Sequence, residues 1–184
     1  MFPIGGVGVM LLLIALAGVL LGVGAAVAQR RVGRPFAVLV ALLVWSLVVI
    51  AVITLIPANG APGIVSAEGR LTSCSWDYGG PAPDGFWILP GGQRLLNAVV
   101  FAPAGLLAVL ASARWRRGFA AAPLVLAVLA AYSVLIELTQ LAAARIDRAC
   151  DVTDVVDNVI GAAIGVVIGL VLWPMSRRVL RGRY

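Results

Sequence analysis

The sequence predicts an all-α integral membrane protein, a bundle of five transmembrane helices with its amino terminus outside and its carboxyl terminus inside. Three observations carry that prediction. Of 184 residues, 62% are hydrophobic and 12% charged, against about 45–50% and about 25% in soluble domains. The apolar residues gather in uncharged stretches of about 20, the length that a helix rising about 1.5 Å per residue needs to cross a hydrocarbon core of about 30 Å. Finally, the 14 basic residues are all arginines, and ten of them lie on alternate connections between those stretches.

The first stretch, Pro3–Ala28, ends in Ala26-Val27-Ala28, which has the small-x-small look of a signal-peptidase site. Its apolar run exceeds the usual 7–15 residues, no basic residue precedes it and Gln29-Arg30-Arg31 follows, so it is expected to be an ordinary first helix. The second is Phe36–Ile56. The third, Leu95–Ala113, follows the one long connection, residues 58–93, a Gly/Pro-rich segment carrying Trp76, Tyr78, Phe86 and Trp87. Ala120–Leu141 and Val155–Trp173 complete the set. Residues 1–184 are expected to form a single membrane domain. Long apolar runs without a ten-residue alternating pattern satisfy their backbone in lipid as helices, not as a barrel.

Arg30, Arg31 and Arg34 lie between the first two helices, Arg114, Arg116 and Arg117 between the third and fourth, and Arg177, Arg178, Arg181 and Arg183 after the fifth. The acidic residues Glu68, Asp77, Asp84, Glu137, Asp147, Asp151, Asp154 and Asp157 fall on or near the other side. The positive-inside rule then sets the expected orientation, with Trp115 and Trp173 at the inner interface. The basic balance is thus explained by topology, and no nucleic-acid partner is expected. With no histidine in the chain, Ser-His-Asp and Cys-His nucleophile pairs, HExxH zinc sites and imidazole acid–base chemistry are excluded.

Three polar patches interrupt the apolar texture. In the first, Asn97, Phe101 and Gly105 fall at i, i+4 and i+8 on one face of the third helix, with Pro103 between them. In the second, Glu137 and Gln140 lie near the end of the fourth helix, roughly 28 Å above Gly118 at about 1.5 Å per residue, close to the outer boundary of the apolar core. The third runs from Arg148 through Asp151, Asp154, Asn158 and Gly161 to Gly165. Its spacing of 3, 4, 3 and 4 from Asp151 makes one stripe, polar above and small-xxx-small below. Asp151 is a natural N-cap and Asp154 opposes the positive end of the helix dipole. A cap needs neither Asn158 one turn further in nor a nearby arginine.

These patterns, Asn97…Phe101-x-Pro103-x-Gly105, Glu137-x-x-Gln140 and Arg148-x-x-Asp151-x-x-Asp154-x-x-x-Asn158-x-x-Gly161-x-x-x-Gly165, resemble the VanZ-like family of bacterial membrane proteins over roughly residues 94–171. The resemblance implies a small multi-pass protein of the bacterial cytoplasmic membrane. The namesake of the family it resembles gives resistance to teicoplanin, a lipid-tailed glycopeptide antibiotic. The Gly/Pro-rich loop and the two cysteines depart from the family pattern.

Asn97, Glu137, Gln140, Arg148, Asp151, Asp154 and Asn158 come from three helices yet share the outer third of the membrane, so they are expected to converge on one ligand site. Phe101, Pro103, Gly105, Gly161 and Gly165 are expected to pack helices. Buried charges in membranes pair or line watery cavities, and an Arg148–carboxylate network facing the bundle interior is the default. Such a site suits the head group of a lipid or lipid-linked cell-envelope molecule. Two alternatives are an enzyme, with Glu137 or an aspartate as general base and Arg148 steadying a phosphate, and a structural partner subunit without a ligand. No nucleophile has an obvious activating partner. No cofactor is implied, and no recognised loop spacing supports a metal. Cys74 and Cys150 are both expected on the outer, oxidising side, which predicts a disulfide tying the long loop over the mouth of the site.

Overall fold

A computed structural model describes residues 5–57, 73–78, 92–142 and 150–181. It contains α1 (Val7–Val32), α2 (Arg34–Leu55), α3 (Gly92–Ser112), a one-turn 3-10 helix (Gly118–Ala121), α4 (Ala122–Ala142) and α5 (Val152–Arg181). All five α-helices are long and apolar enough to cross a membrane. Among the described residues there is no strand, only an isolated parallel bridge between Ser75 and Asp151.

The helices begin and end differently from the apolar stretches. The connection expected between the first two helices shrinks to Gly33, whose φ of 87° lies in the left-handed region that glycine adopts without penalty. Its N–H donates to the Gln29 carbonyl at 3.0 Å and its carbonyl accepts from Ala37 at 3.0 Å, so one residue serves both helix ends. The fifth helix, expected to stop at Trp173, runs on through Pro174 to Arg181. A helix satisfies its own backbone beyond the lipid boundary, and Arg178 and Arg181 in its last turn favour the negative end of the dipole. The long connection 58–93 falls mostly outside the described residues, with 73–78 described and α3 starting at Gly92.

α3 is the hub: it packs on α2, α4 and α5, and its closest partner is α5. A Cβ built on Gly161 would overlap the carbonyl of Ala98, one on Gly165 that of Ala102, and one on Gly105 that of Ala162. These backbones meet directly, as the small-residue stripe requires. Phe101 is buried with Ile50, Leu129 and Ile136, and its ring centroid lies 6.2 Å from that of Tyr132. Pro103, expected among the packing residues, is exposed instead. At 100° per residue it is turned well out of the contact stripe through Ala98, Ala102 and Gly105.

The two ends of the bundle carry opposite chemistry. The described arginines at the end of α1 and the start of α2, between α3 and α4 and at the end of α5 gather at one end. There Arg114 donates to the Val32 carbonyl at 2.7 Å and Arg181 to the Arg114 carbonyl at 3.2 Å. Trp173 stacks edge-on with Phe119, centroids 5.6 Å apart, under the Arg177 guanidinium. The described carboxylates, Asp77, Glu137, Asp151, Asp154 and Asp157, all lie at the other end, where α3 and α5 begin and α4 finishes.

Candidate functional site

The acidic end is built around the start of α5. Asp151 precedes the helix, and its Oδ1 accepts the Thr153 N–H at 2.8 Å, the expected N-cap bond. The Val152 N–H donates to the Ser75 carbonyl at 3.0 Å, and the Ser75 N–H to the Cys150 carbonyl at 2.9 Å. The first two helical donors, the N–H groups of Val152 and Thr153, are therefore satisfied without solvent. A disulfide joins Cys74 to Cys150, with Cα atoms 4.6 Å apart, and holds this short ladder in place.

Inward from that cap, polar side chains link helices in successive layers. Asn97 Nδ2 donates to Asp154 Oδ1 at 2.7 Å. Arg94, one turn before Asn97 on α3, reaches across to Asp157, one turn further along α5 than Asp154, with two parallel bonds, Nε to Oδ2 at 2.8 Å and Nη2 to Oδ1 at 3.0 Å. The same Nη2 donates to the Tyr78 hydroxyl at 2.7 Å, which ties the 73–78 segment to the pair. Asn158 Nδ2 then donates to Ser133 Oγ of α4 at 2.9 Å, both residues being buried. Glu137 is buried, and its Oε2 accepts the Asp151 N–H at 3.1 Å, so α4 also clamps the start of α5.

Gln140 faces α2: its Nε2 donates to the Thr54 carbonyl at 2.9 Å. Its Oε1 is buried and accepts no hydrogen bond from the described residues. A buried amide oxygen left unpaired in an apolar medium costs free energy, so this atom asks for a donor.

Of the expected site residues, Asn97, Glu137, Gln140, Asp151, Asp154 and Asn158 all lie at this end, contacting neighbouring helices or one another. Arg148 lies outside the described residues. Arg94, Asp157, Ser133 and Tyr78 were absent from the expected set. Asp157 stands three residues after Asp154 and four before Gly161, so it satisfies the same stripe as Asn158, and Arg94 stands one turn before Asn97. Both signals were present in the spacing. Among the described residues, no group of three or more His, Cys, Asp or Glu side chains is placed to hold a metal ion.

The Arg94–Asp157 pair is unequally buried, the two side chains being 43% and 6% exposed. Removing the arginine strands a buried carboxylate, whereas neutralising the carboxylate leaves a guanidinium that water can solvate. Arg94→Ala is therefore expected to lower the melting temperature in detergent more than Asp157→Asn, and Arg94→Ala/Asp157→Asn to recover part of the loss. Equal effects of the two single substitutions would show that burial does not govern the pair.

A helical membrane bundle with a layered polar cluster at its acidic end is thus the class that fold and site define. The chain belongs to the VanZ/LLP1 family, whose family model matches residues 10–173. That match takes in α1 and α2, which lie outside the 94–171 region carrying the recognisable motifs. No curated protein and no solved structure matches the chain.

Proposed function

We propose that this protein resides in the bacterial cytoplasmic membrane with its acidic end outward, and holds the head group of a lipid or lipid-linked cell-envelope molecule in the polar cluster. The observation that carries this reading is the buried, unpaired Oε1 of Gln140. It stands one turn from buried Glu137 in a cluster of hydrogen-bond acceptors. Such a site favours a head group rich in donors, sugar hydroxyls or an amine, entering sideways from lipid. Teicoplanin resistance, the trait of the family's namesake, belongs to the same proposal and predicts a raised inhibitory concentration in a susceptible host expressing the protein.

The deciding measurement is mass spectrometry of lipids co-purified with the protein. One head-group class is expected to be enriched over the bulk membrane, and to be lost in Gln140→Leu, Asp151→Ala and Arg148→Ala. Loss of the Asp151 cap itself should cost only about 1 kcal/mol. A lipid profile equal to that of the bulk membrane ends the binding reading.

A second reading, a scaffold in which the cluster only joins helices, draws support from the mutual pairing of Arg94 with Asp157, Asn97 with Asp154 and Asn158 with Ser133. Interhelical hydrogen bonds in membranes contribute about 0.6 kcal/mol each on average. Under that reading, the same variants lose folded yield in step with any activity.

The orientation follows from the arginine-rich end by the positive-inside rule. Reporter fusions at Arg31 and Tyr184 are expected to report the cytoplasm and one at Gly80 the exterior. An external Tyr184 reverses the placement of the whole cluster.

A further inference from the structure

No residue of α1 is buried, and between α1 and α2 runs an open groove of about 580 Å³ with apolar walls that include Leu21, Val38 and Leu42. At one end the groove is closed by Trp45, whose indole N–H donates to the Ile14 carbonyl at 3.0 Å and whose ring lies against Gly18. At the other end lie Gln29 and Arg34. A second hollow of about 340 Å³ shares those two residues and continues past Pro35 and Phe36 to Val179 and Leu180 of α5. From Gly18 to Gln29 the rise of the helix is about 16 Å at about 1.5 Å per residue, close to the depth of one leaflet of a core about 30 Å thick.

The charge at the Arg34 end is uncompensated. Arg34 makes no hydrogen bond or ion pair to the described residues, and every described carboxylate lies at the opposite end of the bundle. Arg30 and Arg31 add to the same field, and α2 begins here without a capping side chain. An apolar trough one leaflet long, ending in unpaired arginines at the depth of the head groups, has the chemistry of one occupant. We infer that the α1–α2 groove is a binding site for an anionic glycerophospholipid, with an acyl chain along Leu21, Val38 and Leu42 and the phosphate at Arg34. Basic pockets between membrane helices hold anionic head groups for the same electrostatic reason. This site lies at the far end of the protein from the acidic cluster, shares no residue with it and stands whatever that cluster binds.

Trp45 provides the readout. The full-length protein is placed in phosphatidylcholine nanodiscs doped with equal small fractions of either brominated phosphatidylglycerol or brominated phosphatidylcholine. Quenching of Trp45 is taken as the difference between the parent and Trp45→Phe. The expected result is about fivefold stronger quenching by the anionic lipid, the equivalent of about 1 kcal/mol for one arginine near the membrane surface. Arg34→Gln should remove the preference, Arg34→Lys should keep it, and Arg116→Gln, away from the groove, should leave it unchanged. Gly22→Leu should reduce quenching by both lipids. A Cβ at Gly22 meets nothing within 4 Å, so this change fills the groove without disturbing the fold, and an unchanged melting temperature confirms it. Equal quenching by the two lipids in the parent, a preference that survives Arg34→Gln, or undiminished quenching in Gly22→Leu overturns the inference.

Discussion

Gly165→Leu is expected to abolish the folded protein, seen as loss of the monodisperse peak on size-exclusion chromatography in detergent. The Cβ of any residue at 165 would overlap the Ala102 carbonyl, and the next nearest atom, the Leu106 nitrogen, is also backbone. Neither can rotate aside, so α3 and α5 must separate. Overpacking alone costs about 1–3 kcal/mol, occasionally more. Separation also pulls Asn97 from Asp154 and Arg94 from Asp157, because those bonds span the same two helices. Gly161→Leu, against the Ala98 carbonyl, should behave alike. Gly24→Leu is the control: a Cβ there meets nothing within 4 Å, and its melting temperature should match the parent's. A Gly165→Leu protein that elutes and melts like the parent would refute the direct backbone contact.

The second large effect is expected from Cys74→Ser/Cys150→Ser. The bond spans 76 residues, and for a free chain a loop of that length corresponds to about 4 kcal/mol. Within a membrane the disconnected state keeps its helices inserted, so the chain it would release is already constrained and the loss in stability falls below that figure. The local consequence is sharper. Without the disulfide, the Ser75 N–H and the Val152 N–H lose the ladder that holds them against Cys150 and Ser75. Tyr78 loses the anchorage that presents its hydroxyl to Arg94. Amide exchange at Ser75 and Val152 is expected to accelerate far more than exchange in the middle of α3 or α4, with a smaller fall in melting temperature. Protection of those two amides that survives the double substitution would show that the 73–78 segment is held by its side chains alone.

Five membrane spans were legible because lipid allows so few solutions: a long uncharged segment must satisfy its backbone within itself. The disulfide was legible too, since topology puts both cysteines on one side, and so was the Asp151 cap, a matter of local backbone chemistry. The helix limits were less so. Apolarity marks where a chain meets lipid, whereas the helix stops only where its backbone bonds stop, at Gly33 or past Pro174 at Arg181.

By itself the sequence determined that the chain crosses the membrane as helices, that its charges divide between two ends, and that α5 carries a face both polar and small. The tertiary structure alone decided the partners on that face. Arg94 and Asp157 are 63 residues apart, and Gln140 and Thr54 are 86 apart. Hydrophobic periodicity says which side of a helix turns inward but not how two helices are rotated and shifted against each other. The carbonyls of Ala98 and Ala102 seated on Gly161 and Gly165 set that register. Once it is set, it fixes which donor on α3 meets which carboxylate on α5.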